Sequence, residues 1–210
     1  MKVSEIFTSV QGESHFAGYI CTFIRLAGCN LRCTYCDTQY AYHEGNEINL
    51  DSIVYKVIQA GVKTVEITGG EPLLQEDTSL LIEKLLDEGF RVLVETNGSK
   101  KIGNIDRRAI VILDIKTPRS GMDKKMDFSN INLLKPADEV KFVITDRNDY
   151  EWSKEIIEKY TLFERCNILF SPSFGVLPSR MLAEWMINDK IDGRLNLQLH
   201  KYIFGLERGK

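Results

Sequence analysis

Seven short runs rich in β-branched residues recur along the chain, at residues 20–26, 63–68, 90–96, 110–116, 140–145, 168–171 and 195–200. Several are separated by stretches whose apolar residues recur at helical spacing. Leu50, Ile53, Val54, Val57 and Ile58 share one helical face, with Asn49 as a candidate cap and Gly61 as a stop. Leu81, Ile82, Leu85 and Leu86 form a second stripe closed by Gly89; Trp152, Ile156 and Tyr160 form a third; Leu182, Trp185 and Met186 form a fourth, after Pro178. Strand–helix–strand order folds as a mostly parallel sheet with right-handed crossovers. A closed eightfold barrel takes about 250 residues. This chain has 210, some of them in a hairpin-like N-terminal segment. Residues 97–109 and 117–138 carry no helical stripe, so some crossovers are expected to be irregular. The expected fold class is α/β: an incomplete parallel β/α barrel formed by residues 1–210 as a single domain.

Composition removes several functional classes. Twenty-seven basic and thirty acidic residues leave a net charge of −3, with no basic stripe for a nucleic-acid backbone and no polybasic membrane patch. The longest aliphatic run, 109–113, is far too short for a membrane span or a signal-peptide core. A cytoplasmic setting with reduced thiols is therefore expected. Five cysteines is an odd number that fits a disulfide framework badly. Cys21 and Cys166 sit in apolar runs and read as small buried hydrophobes, whereas Cys29, Cys33 and Cys36 crowd into eight residues.

That cluster directly follows the run 20–26, so it occupies the C-terminal end of a strand, where parallel α/β folds bind ligands. Three thiolates on so short a loop cannot complete four-coordination alone. Either a zinc ion takes a fourth ligand, with His43 the nearest candidate, or a 4Fe-4S cluster is held by three cysteines and keeps one iron open. Two further strand ends carry glycine turns, Thr68-Gly69-Gly70-Glu71-Pro72 and Glu95-Thr96-Asn97-Gly98-Ser99. Either alone reads as an ordinary turn; both beside a cysteine cluster favour a ligand site.

The pattern Cys29-x-x-x-Cys33-x-x-Cys36, with Tyr35 before the last cysteine, resembles the signature of the radical S-adenosylmethionine (SAM) superfamily. The two glycine turns strengthen the resemblance, which implies the partial barrel of the radical SAM type. Over almost its whole length the chain also resembles the 7-carboxy-7-deazaguanine synthase family. The carrying residues are Glu5-Ile6-Phe7, Val10-Gln11-Gly12-Glu13, Phe23 through Cys29, Cys36-Asp37-Thr38, the two glycine turns, Glu139-Val140-Lys141 and Gln198-Leu199-His200-Lys201-Tyr202.

This resemblance implies a lyase that converts 6-carboxy-5,6,7,8-tetrahydropterin to 7-carboxy-7-deazaguanine with loss of ammonia, a step toward queuosine. It implies a 4Fe-4S cluster on Cys29, Cys33 and Cys36, and SAM held by Tyr35, Cys36, Asp37, Gly70, Glu71, Asn97, Asp114, Lys116 and Ser171. The pterin falls to Val10, Gln11, Gly12, Glu13, Arg25, Thr68 and His200, and Mg²⁺ to Thr38. A guanidinium such as Arg25 matches a carboxylate as a bidentate fork, and Gln11 and Glu13 can read an aminopyrimidinone edge. His200 is expected on the last strand. Asp114-Ile115-Lys116 and Ser171-Pro172-Ser173-Phe174 depart from the patterns common in the family, Ser-Pro-Lys and Gln-Pro-x-Asp, and Ser14 replaces its usual glycine. A flavodoxin- or ferredoxin-type electron donor and a homodimer are implied as partners. Two rival readings are a radical SAM activase acting on a partner protein and a non-enzymatic zinc-binding domain.

Overall fold

A computed structural model describes residues 1–210. Its nine strands form one open sheet in the order β3-β1-β2-β4-β5-β6-β7-β8-β9. Strand β1 (Lys2–Val10) lies antiparallel to β2 (Ile20–Leu26), as the hairpin-like N-terminus implies, and carries the two-residue edge strand β3 (Asn46–Glu47). From β2 onward every pairing is parallel, through β4 (Thr64–Gly69), β5 (Arg91–Thr96), β6 (Ile110–Ile115), β7 (Glu139–Ile144), β8 (Asn167–Pro172) and β9 (Arg194–Leu195).

Side chains alternate across a strand, and here the two faces differ in chemistry. Ile24 and Leu26, Val65 and Ile67, Val92 and Val94, Val140 and Phe142, and Ile168 and Phe170 point to the helix layer and form the core. On the opposite face Phe23 and Arg25, Glu66 and Thr68, Asp114, Lys141 and Ser171 line an interior cavity. The outer face is packed for stability, while the inner face is polar and built for a ligand.

Helices α1 (Leu50–Ala60), α2 (Thr78–Asp87), α3 (Arg147–Tyr160) and α4 (Ser179–Asp189) cover the outer face. The Asn49 side chain caps α1 by accepting from Ser52 N, and Gly61 ends the helix in the left-handed region at φ 68°. In α1, Ile53, Val54 and Val57 are buried as the stripe predicts, but Ile58 faces solvent. Leu81 is wholly buried in α2, whereas its neighbour Leu80 is 46% exposed. Leu81→Ala should therefore cost about 2–5 kcal/mol through transfer and cavity terms. Leu80→Ala should stay within about 0.5 kcal/mol, and urea midpoints of the pair measure the difference.

The crossovers after β5 and β6 are irregular, the second holding only short 3-10 turns at Pro118–Ser120, Asp123–Lys125 and Phe128–Leu133. One sequence expectation is corrected. Residues 195–200 are not a strand: β9 stops at Leu195, and α5 (Leu199–Phe204) carries His200. Asn196 ends the pairing by donating its N–H to the Phe170 carbonyl, and Leu199 N then turns away to the carbonyl of Gly12 on the other side of the sheet's gap.

Candidate active site

The C-terminal ends of β2, β4, β5, β6 and β8 meet at one mouth of the incomplete barrel. Cys29, Cys33 and Cys36 are free, half-buried thiols on the loop after β2, and all three line a single cavity of about 260 Å³. Leu31 N donates to Cys29 Sγ at 3.4 Å, and Asn97 Nδ2 lies 3.8 Å from the same sulfur. Burial pushes the Cys33 thiol up to about 11, a cost that a bound cation would remove. No three His, Cys, Asp or Glu side chains converge on a single-ion geometry. Three half-buried thiols facing one space, with N–H donors to one sulfur, fit a cluster that three cysteines would hold.

The glycine turn after β4 supports this loop from beneath. A Cβ on Gly69 would stand 2.1 Å from the Leu26 carbonyl oxygen, and one on Gly70 would stand 2.0 Å from that of Gly28. Gly70 N and Glu71 N donate to these two carbonyls at 3.0 and 2.7 Å. The close approach that the glycines allow is thus to the base of the cysteine loop. Gly70 also lines the cavity; Glu71 does not. The Glu71 carboxylate is fully buried and accepts from Leu73 N (2.9 Å), Thr96 Oγ1 (2.8 Å) and Asn97 N (2.7 Å). Two of these three donors belong to the turn that carries Asn97.

Tyr35, Asp37, Asn97, Asp114, Lys116 and Ser171 all reach the cavity. Lys116 Nζ holds Asp114 Oδ2 at 2.8 Å, while Asp114 Oδ1 is buried with no partner. Thr38 lines the cavity too and donates its hydroxyl to Asp37 Oδ1 at 2.8 Å.

The loop after β1 enters from the opposite end, because β1 runs against the parallel strands. Val10, Gln11, Gly12 and Glu13 all line the cavity, with Arg25 and Thr68 side by side in the β2–β4 register. Gln11 Nε2 donates to Glu66, and Gln198 Nε2 donates to Glu13 Oε1 at 2.9 Å. Gly12 has no room for a side chain, since a Cβ would meet His200 Nδ1 at 2.0 Å. His200 is half-buried there, and its burial lowers the imidazole below its ordinary value. The C-terminal segment thus covers the gap between β1 and β9.

Several cavity residues have no role in the sequence reading. Lys141 Nζ contacts Glu13 (3.0 Å), Glu95 and Asp114 (3.4 Å) at the centre of the polar face. Burial and the neighbouring carboxylates Glu95 and Glu13 raise Glu66 well above the usual carboxylate range. Behind the lining, the fully buried Asn196 accepts from Ser14 N at 2.9 Å and donates to Ser171 Oγ at 2.8 Å. A charged residue flanked by apolar ones within a buried strand, as in Thr64–Gly69 and Glu139–Ile144, is the signal that finds Glu66 and Lys141.

A three-thiol loop over a polar, incomplete barrel is the arrangement of one large enzyme class, and the comparisons agree. The chain belongs to the radical SAM superfamily, whose sequence model matches residues 23–162. Within it, the chain belongs to the 7-carboxy-7-deazaguanine synthases. It is 44% identical to the synthase of Chlorobaculum tepidum, across 97% of this chain and 94% of that one. It is 39% identical to the synthase of Koribacter versatilis, across 97% of each. In fold it is similar to the crystal structure of QueE from Escherichia coli, with a TM-score of 0.80, 23% identity and coverage of 95% and 94%.

Proposed function

We propose that the chain converts 6-carboxy-5,6,7,8-tetrahydropterin to 7-carboxy-7-deazaguanine with loss of ammonia, with a 4Fe-4S cluster and SAM. The observation that carries this reading is the single cavity. It joins three thiols at one end to Gln11 and Glu13 at the other, with Arg25 on the wall between. When bound, the cluster supplies the electron that splits SAM into methionine and the 5′-deoxyadenosyl radical that starts the reaction.

The chain's own work is binding, orientation and charge. Cys29, Cys33 and Cys36 hold the cluster, and Gly70, Asn97, Asp114, Lys116 and Ser171 line the SAM end, with Tyr35 and Asp37 beside them. The unpartnered Asp114 Oδ1 is an acceptor ready for a SAM hydroxyl or ammonium. Glu71 acts through Asn97, which its carboxylate braces. Gln11 and Glu13 read the aminopyrimidinone edge, Arg25 takes the carboxylate, and Val10, Gly12, Thr68 and His200 shape the walls.

Mg²⁺ at Thr38 belongs to the same proposal. One hydroxyl is a weak ligand, so the ion draws on substrate oxygens and water as well. Thr38→Ala should raise the Mg²⁺ concentration for half-maximal turnover about tenfold or more, and equal turnover with and without chelator would show that no such ion is used. A single domain over 1–210, a flavodoxin- or ferredoxin-type donor, a homodimer and a cytoplasmic setting complete the reading. No helix is long and apolar enough to cross a membrane. The decisive assay combines reconstituted enzyme, the carboxytetrahydropterin, SAM, Mg²⁺ and a chemical reductant without oxygen. Formation of 7-carboxy-7-deazaguanine supports the proposal; SAM cleavage that leaves the pterin unchanged overturns it.

A further inference from the structure

Arg25 does not stand alone on the cavity wall. It is paired in register with Glu5 on β1, next to an irregularity in the β1–β2 ladder between Val3 and Glu5. Its Nε donates to Glu5 Oε1 at 2.7 Å, and neither Nη has a partner in the chain. The same Glu5 oxygen accepts from Tyr40 OH at 2.7 Å, and Glu5 Oε2 accepts from Arg208 Nε at 3.3 Å. The Arg208 guanidinium also lies 3.7 Å from the centre of the Tyr40 ring, and its Nη1 donates to Glu44 at 2.8 Å. On its other side Arg25 approaches the ring of Phe7 at 5.9 Å, itself stacked on Phe23 at 5.0 Å. Arg25, Phe7 and Phe23 line the cavity, whereas Glu5 stands behind them.

An arginine has a long stem with many rotamers, and fixing it costs entropy whenever it binds a ligand. A guanidinium held by Nε alone still presents its two Nη groups as one flat edge, the edge that a carboxylate accepts in bidentate fashion. The Glu5–Arg25 pair is mostly buried, with side-chain exposures of 15% and 18%, so it is not the solvated pair that contributes nothing measurable. Burial alone would raise the Glu5 carboxyl, but Tyr40 and Arg25 outweigh it and hold the group below its ordinary value.

We infer that Glu5 is a positioning residue that fixes Arg25 by Nε, with Tyr40 and Arg208 holding Glu5 in turn, so that the two Nη groups face the cavity ready for the substrate carboxylate. This rests on Arg25 being the carboxylate partner proposed above. The test uses reconstituted holoenzyme with cluster and SAM, in the forms wild type, Glu5→Ala, Glu5→Gln, Tyr40→Phe and Arg25→Ala. KM and kcat are measured for the carboxytetrahydropterin, and affinity for tetrahydropterin lacking the carboxyl group. Glu5→Ala should raise KM at least tenfold with a smaller change in kcat, and leave affinity for the uncarboxylated pterin unchanged. Glu5→Gln keeps an acceptor for Nε and should stay within threefold of wild type. Tyr40→Phe, which removes only a hydroxyl, should raise KM two- to fivefold and reads the arrangement even if Glu5→Ala does not fold. The inference is overturned if Glu5→Ala and Tyr40→Phe leave KM unchanged while Arg25→Ala raises it. It is equally overturned if the variants weaken both pterins alike, which is the mark of a merely structural role. If Arg25→Ala itself leaves KM unchanged, the carboxylate is held elsewhere and both readings fall.

Discussion

Cys33→Ala, reconstituted with iron and sulfide in the absence of oxygen, is expected to lose SAM cleavage to background. Only three thiols face the cavity, and the two remaining cysteines are buried at Cys21 and Cys166, outside its lining. No other thiol lines the cavity, so a cluster that these three cysteines would hold should be lost or destabilised when any one is removed. Cys29→Ala and Cys36→Ala should behave alike. Cys166→Ala, a core thiol near α3 and β8, should keep its iron and its activity while losing some stability. Iron content, visible absorbance and 5′-deoxyadenosine formation are measured on all four. Zinc with negligible iron in the wild-type protein would sink the cluster assignment.

Lys141→Met should be the most damaging change on the polar face for stability. The thioether keeps the stem's bulk but removes the one cation that touches Glu13, Glu95 and Asp114. Breaking a buried ion pair from one side typically costs about 3–5 kcal/mol, which lowers Tm by about 10 °C in a chain of this size. The pH dependence gives a second signature. In the wild type, burial would raise the Glu13 carboxyl, but Lys141 and Gln198 outweigh it and hold it below its ordinary value of 4.5. Such a group adds stability above 4.5 that is lost as pH falls through its lowered folded value. Without Lys141, burial pushes the carboxyl upward, so the variant should lose stability as pH rises from 5 to 8. Glu66 is raised in the wild type already, so melting curves across that range should fall more steeply for the variant than for the wild type; parallel profiles for both proteins would refute it.

Much of this was legible in the sequence because its signals are periodic or tightly spaced. Strands β2 and β4 to β8 fall within a residue or so of the β-branched runs, and the cysteine spacing marks the loop that meets the cavity. What escaped has a physical reason in each case. Residues 195–200 are apolar enough to read as a strand, but Asn196 spends its side chain on Ser14 and Ser171, and the chain turns into α5. Lys141 and Glu66 are marked only by a charge between apolar neighbours in a strand, and that signal says nothing of which groups they meet across the inner face. Glu5 was visible only as part of a matching segment, since its link to Arg25 depends on a strand register that local pattern does not specify.

The gap between β1 and β9 bears on how the protein is made. The contacts that cover it join the two ends of the chain: Leu199 to Gly12, Gln198 to Glu13, Asn196 to Ser14 and Arg208 to Glu5. Translation delivers residues 196–208 after all nine strands, and contacts this distant in sequence are slow to form. A nascent chain can therefore pack its helices against all nine strands while its pocket still stands open along one side. A premature stop codon just after Leu195 would spare the core and remove this covering segment, so a chain cut there should keep its fold while its pocket stays open.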